Sequence, residues 1–441
     1  MISRRHFLRT SAAGVAASSL PFTAKSYAQI AGANDRVHFA VIGLNSRAYA
    51  HLSSLGVNKK DARIVQVCDV DKVILAKFAG NAAKVMGDAP EPQQDFRKVL
   101  ASKDVDAITI ATPDHWHAPM AILGLQAGKH VYVEKPCSHN PQEGMWLVEA
   151  QKKTGKLCQM GSQQRSSPHT IEIVDQIHNG LIGRAYWAET WYTNTRKPIG
   201  VGTPVPVPAT LDWDLWQGPA PRREYKSNVH PYNWHWFTNW GTGETLNNGT
   251  HEVDVARWAL GAGFPTEIAA TGGRYAAHDD WQFYDTLEVV LRYPEQMITW
   301  KGDCCSGQKT FNRDRGVCVH GTSGNVIIDR DGYDVLDPKN KILTSFRVPK
   351  AAPTASTDLV GADTMTDAHF ANLIAAIRGT AQLRQPVAQG NVAVTMLQVA
   401  NISYFTNNTL KTDPQTYAIL NNPKAEAMTK REYEKGWAPK V

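Results

Sequence analysis

The run Val37-His38-Phe39-Ala40-Val41-Ile42 is short, apolar and β-branched, and it ends on Gly43. No other feature restricts the fold as much, because the residues after it keep the spacing of a strand, a tight turn and a helix. Gly43-Leu44-Asn45-Ser46-Arg47-Ala48 occupies the frame G-x-G-x-x-G/A, and Tyr49 to Leu55 starts a helix. In that frame the first glycine permits a sharp turn and the second lets backbone approach a pyrophosphate. A small third residue lets the helix pack on the strand, and the phosphates meet the helix N-terminus. Asn45 stands where the second glycine is usual; asparagine tolerates positive φ better than most residues, with its side chain turned away from the phosphates.

The pattern then repeats. Ala62 to Cys68 reads as a second strand, and Asp69 follows it, 26 residues after Gly43. An acid there accepts hydrogen bonds from a ribose 2′-OH and repels a 2′-phosphate, which favours NAD over NADP; the plain alternative is a helix cap. A third strand, Asp106 to Ala111, follows a helix over Phe96 to Ala101 and breaks into Thr112-Pro113-Asp114-His115-Trp116-His117. A helix from Pro119 to Ala127 stops at Gly128, and the strand His130 to Val133 ends at Glu134-Lys135-Pro136. With a strand from Lys156 to Met160, residues 34–158 read as an NAD-binding Rossmann domain, an α/β doubly wound parallel sheet that binds ligands at the carboxyl ends of its strands.

Beyond residue 158 the period changes. Gly183 to Thr193, Glu267 to Tyr275, Asp285 to Leu291 and Met297 to Gly302 alternate as half-buried strands do. Gly200 to Pro208 and Pro338 to Thr357 read as loops, while Asp367 to Ile377 and Val392 to Phe405 have helical spacing. Residues 159–441 are therefore expected to form an α+β domain for substrate binding and oligomerisation, with a large open, mainly antiparallel sheet. The 441 residues, 42% of them hydrophobic, suffice for such cores and exclude a disordered or collagen-like chain.

Residues 1–28 read as an address rather than as fold. Ser3-Arg4-Arg5-His6-Phe7-Leu8 opens with paired arginines, a weakly apolar stretch follows, and Ser26-Tyr27-Ala28 suits a signal peptidase. Twin arginines before Phe-Leu read as a Tat signal, which implies a periplasmic protein. Arg4, Arg5, Arg9 and Lys25 leave with it and no acid does, which takes the net charge from +6 to +2. That is no footprint for nucleic acid. No other apolar run reaches about 18 residues, so no membrane span is expected. The six cysteines form no CxxC pair and no Cys/His ligand spacing, so they read as small buried hydrophobes.

Ala111 to His117 together with Glu134-Lys135-Pro136 resembles the Gfo/Idh/MocA oxidoreductases, from about Arg36 to the last forty residues. Leu211 to Pro221 is similar to a signature of exported, sugar-related members; His251 to Trp258 and His369 to Asn372 match as well. The resemblance implies NAD as cofactor, a carbohydrate substrate, and a homo-oligomer, dimer or tetramer. It also implies roles. Lys135 lies near the nicotinamide and the reacting hydroxyl, where burial lowers an amine's pKa toward a useful range. His251 is the second catalytic candidate. The family usually carries an aspartate four residues before this histidine, and here that residue is Asn247, which orients groups but exchanges no proton. Gly43, Asn45, Ser46, Arg47, Asp69, Thr112, Pro113, His115, His117, Glu134, Lys135 and Gln163 are placed on the cofactor side. Arg165, Tyr192, Asn247 and His251 are placed on the substrate side. His115 and His117 read as contacts of the nicotinamide ribose; no third ligand is spaced to make them a metal site. The cluster Trp234 to Trp240, with Trp187, Trp191 and Tyr192, reads equally as sugar-facing rings or as one buried strand face.

Export and a dinucleotide together constrain mechanism. Soluble NAD is scarce outside the inner membrane, so the cofactor is expected to be loaded before export, to stay tightly bound and to be regenerated in place. One route oxidises a sugar and returns the hydride to a second carbonyl compound. The other is a glycosidase cycle of oxidation at C3, elimination, water addition and re-reduction. Hydrolytic relatives tend to lack the lysine of E-K-P, so Lys135 favours the oxidoreductase. A non-catalytic sugar-binding protein is the third reading, favoured by Asn45 and Asn247 and opposed by Lys135 and His251.

Overall fold

The computed structural model describes residues 36–349 and 363–441; the export segment and the end of the Pro338–Thr357 stretch lie outside them. The first half alternates strictly: β1 (Val37–Ile42), α1 (Ala48–Val57), β2 (Ala62–Cys68), α2 (Lys72–Met86), β3 (Glu91–Gln93), α3 (Phe96–Ala101), β4 (Ala107–Ile110), α4 (Asp114–Gln126), β5 (His130–Val133), α5 (Pro141–Thr154) and β6 (Cys158–Met160). The strands pair in the order β3-β2-β1-β4-β5-β6, all parallel. β4 buries every side chain and β1 and β5 nearly every one, as a sheet covered on both faces requires. Helix ends follow local chemistry. Asp71 accepts from the Val73 N–H to start α2, which Gly87 closes at φ 88°; Asn140 and Gly155 do the same for α5.

α4 starts at Asp114, five residues before the expected Pro119, so the DHWH motif is its first turn rather than a loop. Proline inside a helix strips a hydrogen bond from the carbonyl four residues back. Here that carbonyl belongs to His115, and it accepts instead from Arg431 Nη2 at 2.8 Å.

The second half runs α6 (Pro168–His178), β7 (Ala185–Thr193), α7 (Trp213–Gln217), α8 (Gly243–Asn247), α9 (Gly249–Leu260), β8 (Glu267–Gly273), β9 (Thr286–Arg292), β10 (Met297–Asp303), β11 (Arg315–Gly321), β12 (Asn325–Ile328), β13 (Gly332–Leu336), β14 (Ile342–Arg347), α10 (Thr364–Ile377), α11 (Val387–Thr406), β15 (Leu410–Thr412), β16 (Ile419–Leu420) and α12 (Pro423–Ala427). Ten strands form one open sheet, β14-β13-β12-β11-β7-β10-β9-β8-β15-β16. It is antiparallel except between β7 and β10. α9 packs on β7, β10 and β11, and α11 packs on β8, so β9 buries Leu287, Val289 and Leu291 and leaves the alternate residues exposed.

Two local expectations change. Ile342 to Arg347 is a strand rather than a loop, paired to β13 through Tyr333 and Phe346 among others. All six of its residues are exposed, so it lacks the burial of alternate side chains that marks a strand. Trp234 and Trp236 lie in a 3₁₀ turn, Asn233–Trp236, which removes the strand-face reading of their alternation.

Candidate active site

The carboxyl ends of β1, β2, β4 and β5 open onto one cavity of about 310 Å³. Strand order reverses between β1 and β4, where open α/β sheets bind ligands. Gly43 takes φ +78°, and a Cβ there would lie 2.7 Å from the Thr112 nitrogen, so only glycine allows these two strand ends to meet. The positive φ in the rest of the loop falls on Ser46, at 28°, and not on Asn45. Asp69 receives the Leu44 N–H at 2.8 Å and the Asp71 N–H at 2.9 Å. Burial nevertheless pushes its carboxyl up to about 6.

Gly43, Asn45, Ser46, Arg47, Asp69, Thr112, Pro113, His117, Glu134, Lys135 and Asn247 all line the cavity. A dinucleotide fits this donor set. Backbone approaches closely at Gly43, a carboxylate stands at the end of β2, and the buried Thr112 hydroxyl has no hydrogen-bond partner among the described residues.

Glu134 organises the floor. Its Oε1 accepts from Arg47 Nε at 2.8 Å and Gln163 Nε2 at 3.4 Å, and lies 2.9 Å from His51 Nε2. Burial raises a carboxyl, but the Arg47 guanidinium and the His51 hydrogen bond prevail and hold Glu134 well below the usual carboxylate range. Lys135 faces the other way. Its Nζ donates to the Asn247 carbonyl at 2.5 Å and to Asn247 Oδ1 at 3.3 Å, and burial lowers its pKa. Asn247 Nδ2 donates to Glu244 Oε1 at 3.4 Å. Glu244 is fully buried and takes Arg196 Nε at 2.8 Å on its second oxygen. Sequence reasoning missed Glu244 and Arg196; the one legible signal was an acid three residues before Asn247, on the same short helix.

Other predicted site residues lie outside the cavity lining. His115 is fully enclosed, its Nε2 3.0 Å from the Trp216 carbonyl, and burial drives its pKa down to about 3. Gln163 donates to the Tyr132 hydroxyl at 3.0 Å. Arg165 grips Asp254 with Nε at 2.7 Å and Nη2 at 2.8 Å. The Tyr192 hydroxyl accepts from Asn194 Nδ2 at 2.6 Å. His251 is buried near the start of α9, and burial, then Arg330, Lys135, Arg315 and Arg47, hold it well below an ordinary histidine.

A strap closes the cavity from above. Residues 210–216 cross the end of β2, with Lys72 N–H on the Thr210 carbonyl at 3.0 Å and Asp212 N–H on the Val70 carbonyl at 3.1 Å. Trp116 Nε1 holds the Trp216 carbonyl at 2.9 Å, and the His115 N–H holds the Trp240 carbonyl at 3.1 Å. Trp213, Trp216 and Trp240 pack together there, while Trp216, Trp234 and Tyr232 present surface to the cavity.

Residues 37–162 match the profile described as "Oxidoreductase family, NAD-binding Rossmann fold", and residues 202–327 match the "GFO/IDH/MocA C-terminal domain", together more than half of the chain. The chain belongs to the Gfo/Idh/MocA family. Its amino end matches the twin-arginine translocation signal over residues 1–21, so this family member carries an export signal and is periplasmic. No helix among the described residues is long and apolar enough to cross a membrane. A "Glycosyl hydrolase family 109 protein" of Saccharopolyspora erythraea is 32% identical over 220 residues, which is 45% of this chain and 47% of that protein. The chain thus matches just under half the length of such curated relatives. Levoglucosan dehydrogenase, solved with NADH and levoglucosan, superposes with a TM-score of 0.65 at 18% identity over 86% of this chain and 99% of its own. The WlbA dehydrogenase of Bordetella pertussis, solved with NADH and UDP-GlcNAcA, superposes at 0.63 and 19% identity over 86% and 99%. These two likenesses are of fold: the same pairing of a Rossmann domain with a large open sheet domain.

Proposed function

We propose that the protein is a periplasmic oxidoreductase that uses a tightly held, non-exchanging NAD to oxidise a secondary hydroxyl, at C3, of a sugar or glycoside. Residues 34–158 carry the dinucleotide and 159–441 the substrate and the contacts between subunits. The observation that carries this reading is Lys135: a buried amine at the end of β5, in the same cavity as Gly43 and Asp69, bonded among the described residues to the two oxygens of Asn247.

Gly43 to Arg47 take the pyrophosphate and Asp69 the adenosine ribose, while Thr112, Pro113, His117 and Glu134 flank the nicotinamide half. Bound NAD supplies the acceptor for the hydride of the carbinol carbon. Lys135, whose pKa burial lowers, takes the hydroxyl proton on Nζ in its neutral form, and the product is a ketone. Asn247 orients that amine and exchanges no proton itself. The strap over β2 supports retention of the cofactor, because its backbone hydrogen bonds must open before a dinucleotide leaves. The glycosidase cycle is the second reading, favoured by the family 109 name of the curated relatives.

Denaturing the purified protein and recording the absorbance of the supernatant tests retention; absence of any dinucleotide overturns it. Incubation with an aryl glycoside and no added acceptor separates the two chemistries. A single burst of reduced nicotinamide is expected of the oxidoreductase, sustained release of the phenol of the glycosidase. Lys135→Met should lower keto-sugar formation by about 10²–10⁴-fold, the usual contribution of a positioned base; unchanged turnover removes Lys135 from the chemistry.

A further inference from the structure

The ion pair between Arg196 and Glu244 reaches the cavity in two directions, and the route to Lys135 is one of them. On that side Glu244 Oε1 accepts from Asn247 Nδ2 at 3.4 Å, and Asn247 in turn holds the Lys135 amine. On the other side Arg196 Nη1 donates to the Tyr232 hydroxyl at 3.3 Å. The same guanidinium lies 5.0 Å from the centre of the Trp236 ring. His235 stands on the 3₁₀ turn between these two aromatic residues. Tyr232, Trp234 and His235 line the same cavity as Lys135 and Asn247.

Neighbours fix both the orientation and the tautomer of the His235 ring. Trp234 stacks on it with ring centres 3.6 Å apart and planes 19° apart, and the Tyr232 ring packs at 4.6 Å. Its Nδ1 lies 2.6 Å from the Tyr232 carbonyl oxygen. A carbonyl oxygen only accepts, so Nδ1 carries the proton. Desolvation pushes the ring's pKa down to about 3, and Lys135 and Arg196 act in the same direction. The neutral ring therefore keeps a bare lone pair on Nε2, which has no hydrogen-bond partner among the described residues. His117 differs: its two ring nitrogens lie 2.6 and 2.8 Å from the Pro136 and Thr112 carbonyls, which leaves the cavity no acceptor. A rigid, uncharged acceptor set among aromatic faces is matched by a sugar, whose C–H face lies on a ring while a hydroxyl donates.

We propose that His235 Nε2 accepts a hydrogen bond from a second, unreacting hydroxyl of the sugar, beside a wall made by Trp234 and Tyr232. Recognition then requires two hydroxyls, one at Lys135 and one at His235, and one ion pair holds both contacts. This rests on the reading of the cavity as a sugar-oxidising site and makes His235 a specificity-determining residue within it.

Binding of methyl glucoside and its monodeoxy analogues to the dinucleotide-loaded protein tests this by tryptophan fluorescence, with cofactor reduction recorded separately. Removal of the hydroxyl that meets His235 should weaken binding about fivefold or more, the weight of one hydrogen bond. His235→Phe keeps the stacked ring and removes the acceptor. It should bring the parent glycoside down to the level of that one analogue and leave the other deoxy effects unchanged. His235→Gln, which returns an acceptor near the Nε2 position, should restore part of the difference, and it serves as the test if the phenylalanine variant does not fold. The acceptor role is overturned if the parent sugar does not bind saturably, if no deoxygenation weakens binding, or if every deoxy effect survives His235→Phe. Loss of dinucleotide from His235→Phe with the sugar effects intact also overturns it and assigns Nε2 to the nicotinamide amide. A deoxy effect that depends on His235 without any cofactor reduction keeps the acceptor and overturns the oxidoreductase reading. Cofactor reduction with deoxy effects indifferent to His235 does the reverse.

Discussion

The Lys135 amine has Asn247 oxygens as its hydrogen-bond partners and no carboxylate, so nothing negative at bonding distance opposes the loss of its proton. Burial lowers its pKa, and Glu134, Asp114 and Glu244 pull it back from farther away. Activity that depends on the neutral amine should rise with pH. Asn247→Asp puts a carboxylate where the amide oxygen is, favours the ammonium, and should move that rising limb to higher pH by about one unit or more, read from the pH dependence of kcat/KM. Asp69 behaves in the opposite sense. Its pKa stands at about 6 because burial disfavours its charge, and the charged form is what distinguishes a 2′-OH from a 2′-phosphate. Retention of NAD on gel filtration should therefore weaken as pH falls through about 6. Asp69→Ser should raise the share of NADP in the dinucleotide that co-purifies, measured by mass spectrometry.

Elements explain why those side chains stand where they do. The strand ends that carry Gly43, Asp69, Thr112 and Lys135 belong to parallel strands, so their carboxyl ends share one edge of the sheet. That edge is closed by the strap, whose indoles pack together and whose carbonyls are held by the Trp116 indole and the Lys72 backbone. Trp216→Ala removes a large buried ring from the strap and a wall from the cavity. The cost should be about 3–5 kcal/mol locally, visible as loss of dinucleotide on gel filtration at temperatures where far-ultraviolet circular dichroism is unchanged.

Across the whole molecule, contacts around Glu134 tie α10 of the carboxyl-terminal half to the Rossmann sheet. Arg47 links Glu134, just past the end of β5, to Thr366 on α10 at 3.2 Å, and Ser54 of α1 reaches Asp367 at 2.7 Å. Phe370 of α10 stacks on Tyr132 of β5 with ring centres 4.4 Å apart. Glu134→Gln leaves Arg47 without its counter-charge in a buried setting and should cost about 3 kcal/mol or more, measured by urea unfolding. Because the folded-state pKa of Glu134 lies below its ordinary 4.5, the carboxylate's contribution is present above that value and fades as pH falls beneath it. The variant should show a flatter loss of stability in acid than the parent.

Much of this was legible in the chain alone. β-Branched runs stopping at Gly43, Asp69, Thr112 and Glu134 are local facts of covalent chemistry and propensity, and they specify parallel strands whose motifs share an edge. The paired arginines at the amino end are likewise local and were readable without a fold. The start of α4 was not, because it depends on Arg431, more than three hundred residues away, completing the His115 carbonyl. The same holds for β14, which is a strand only through backbone pairing to β13, and for His115, whose ring is turned to Trp216 by the strap. Sequence determined which groups the protein owns and the secondary structure that carries them. Tertiary structure decided which are partnered and which are left free for chemistry, because burial and counter-charge, not residue type, set the state of Lys135, Glu134 and His251.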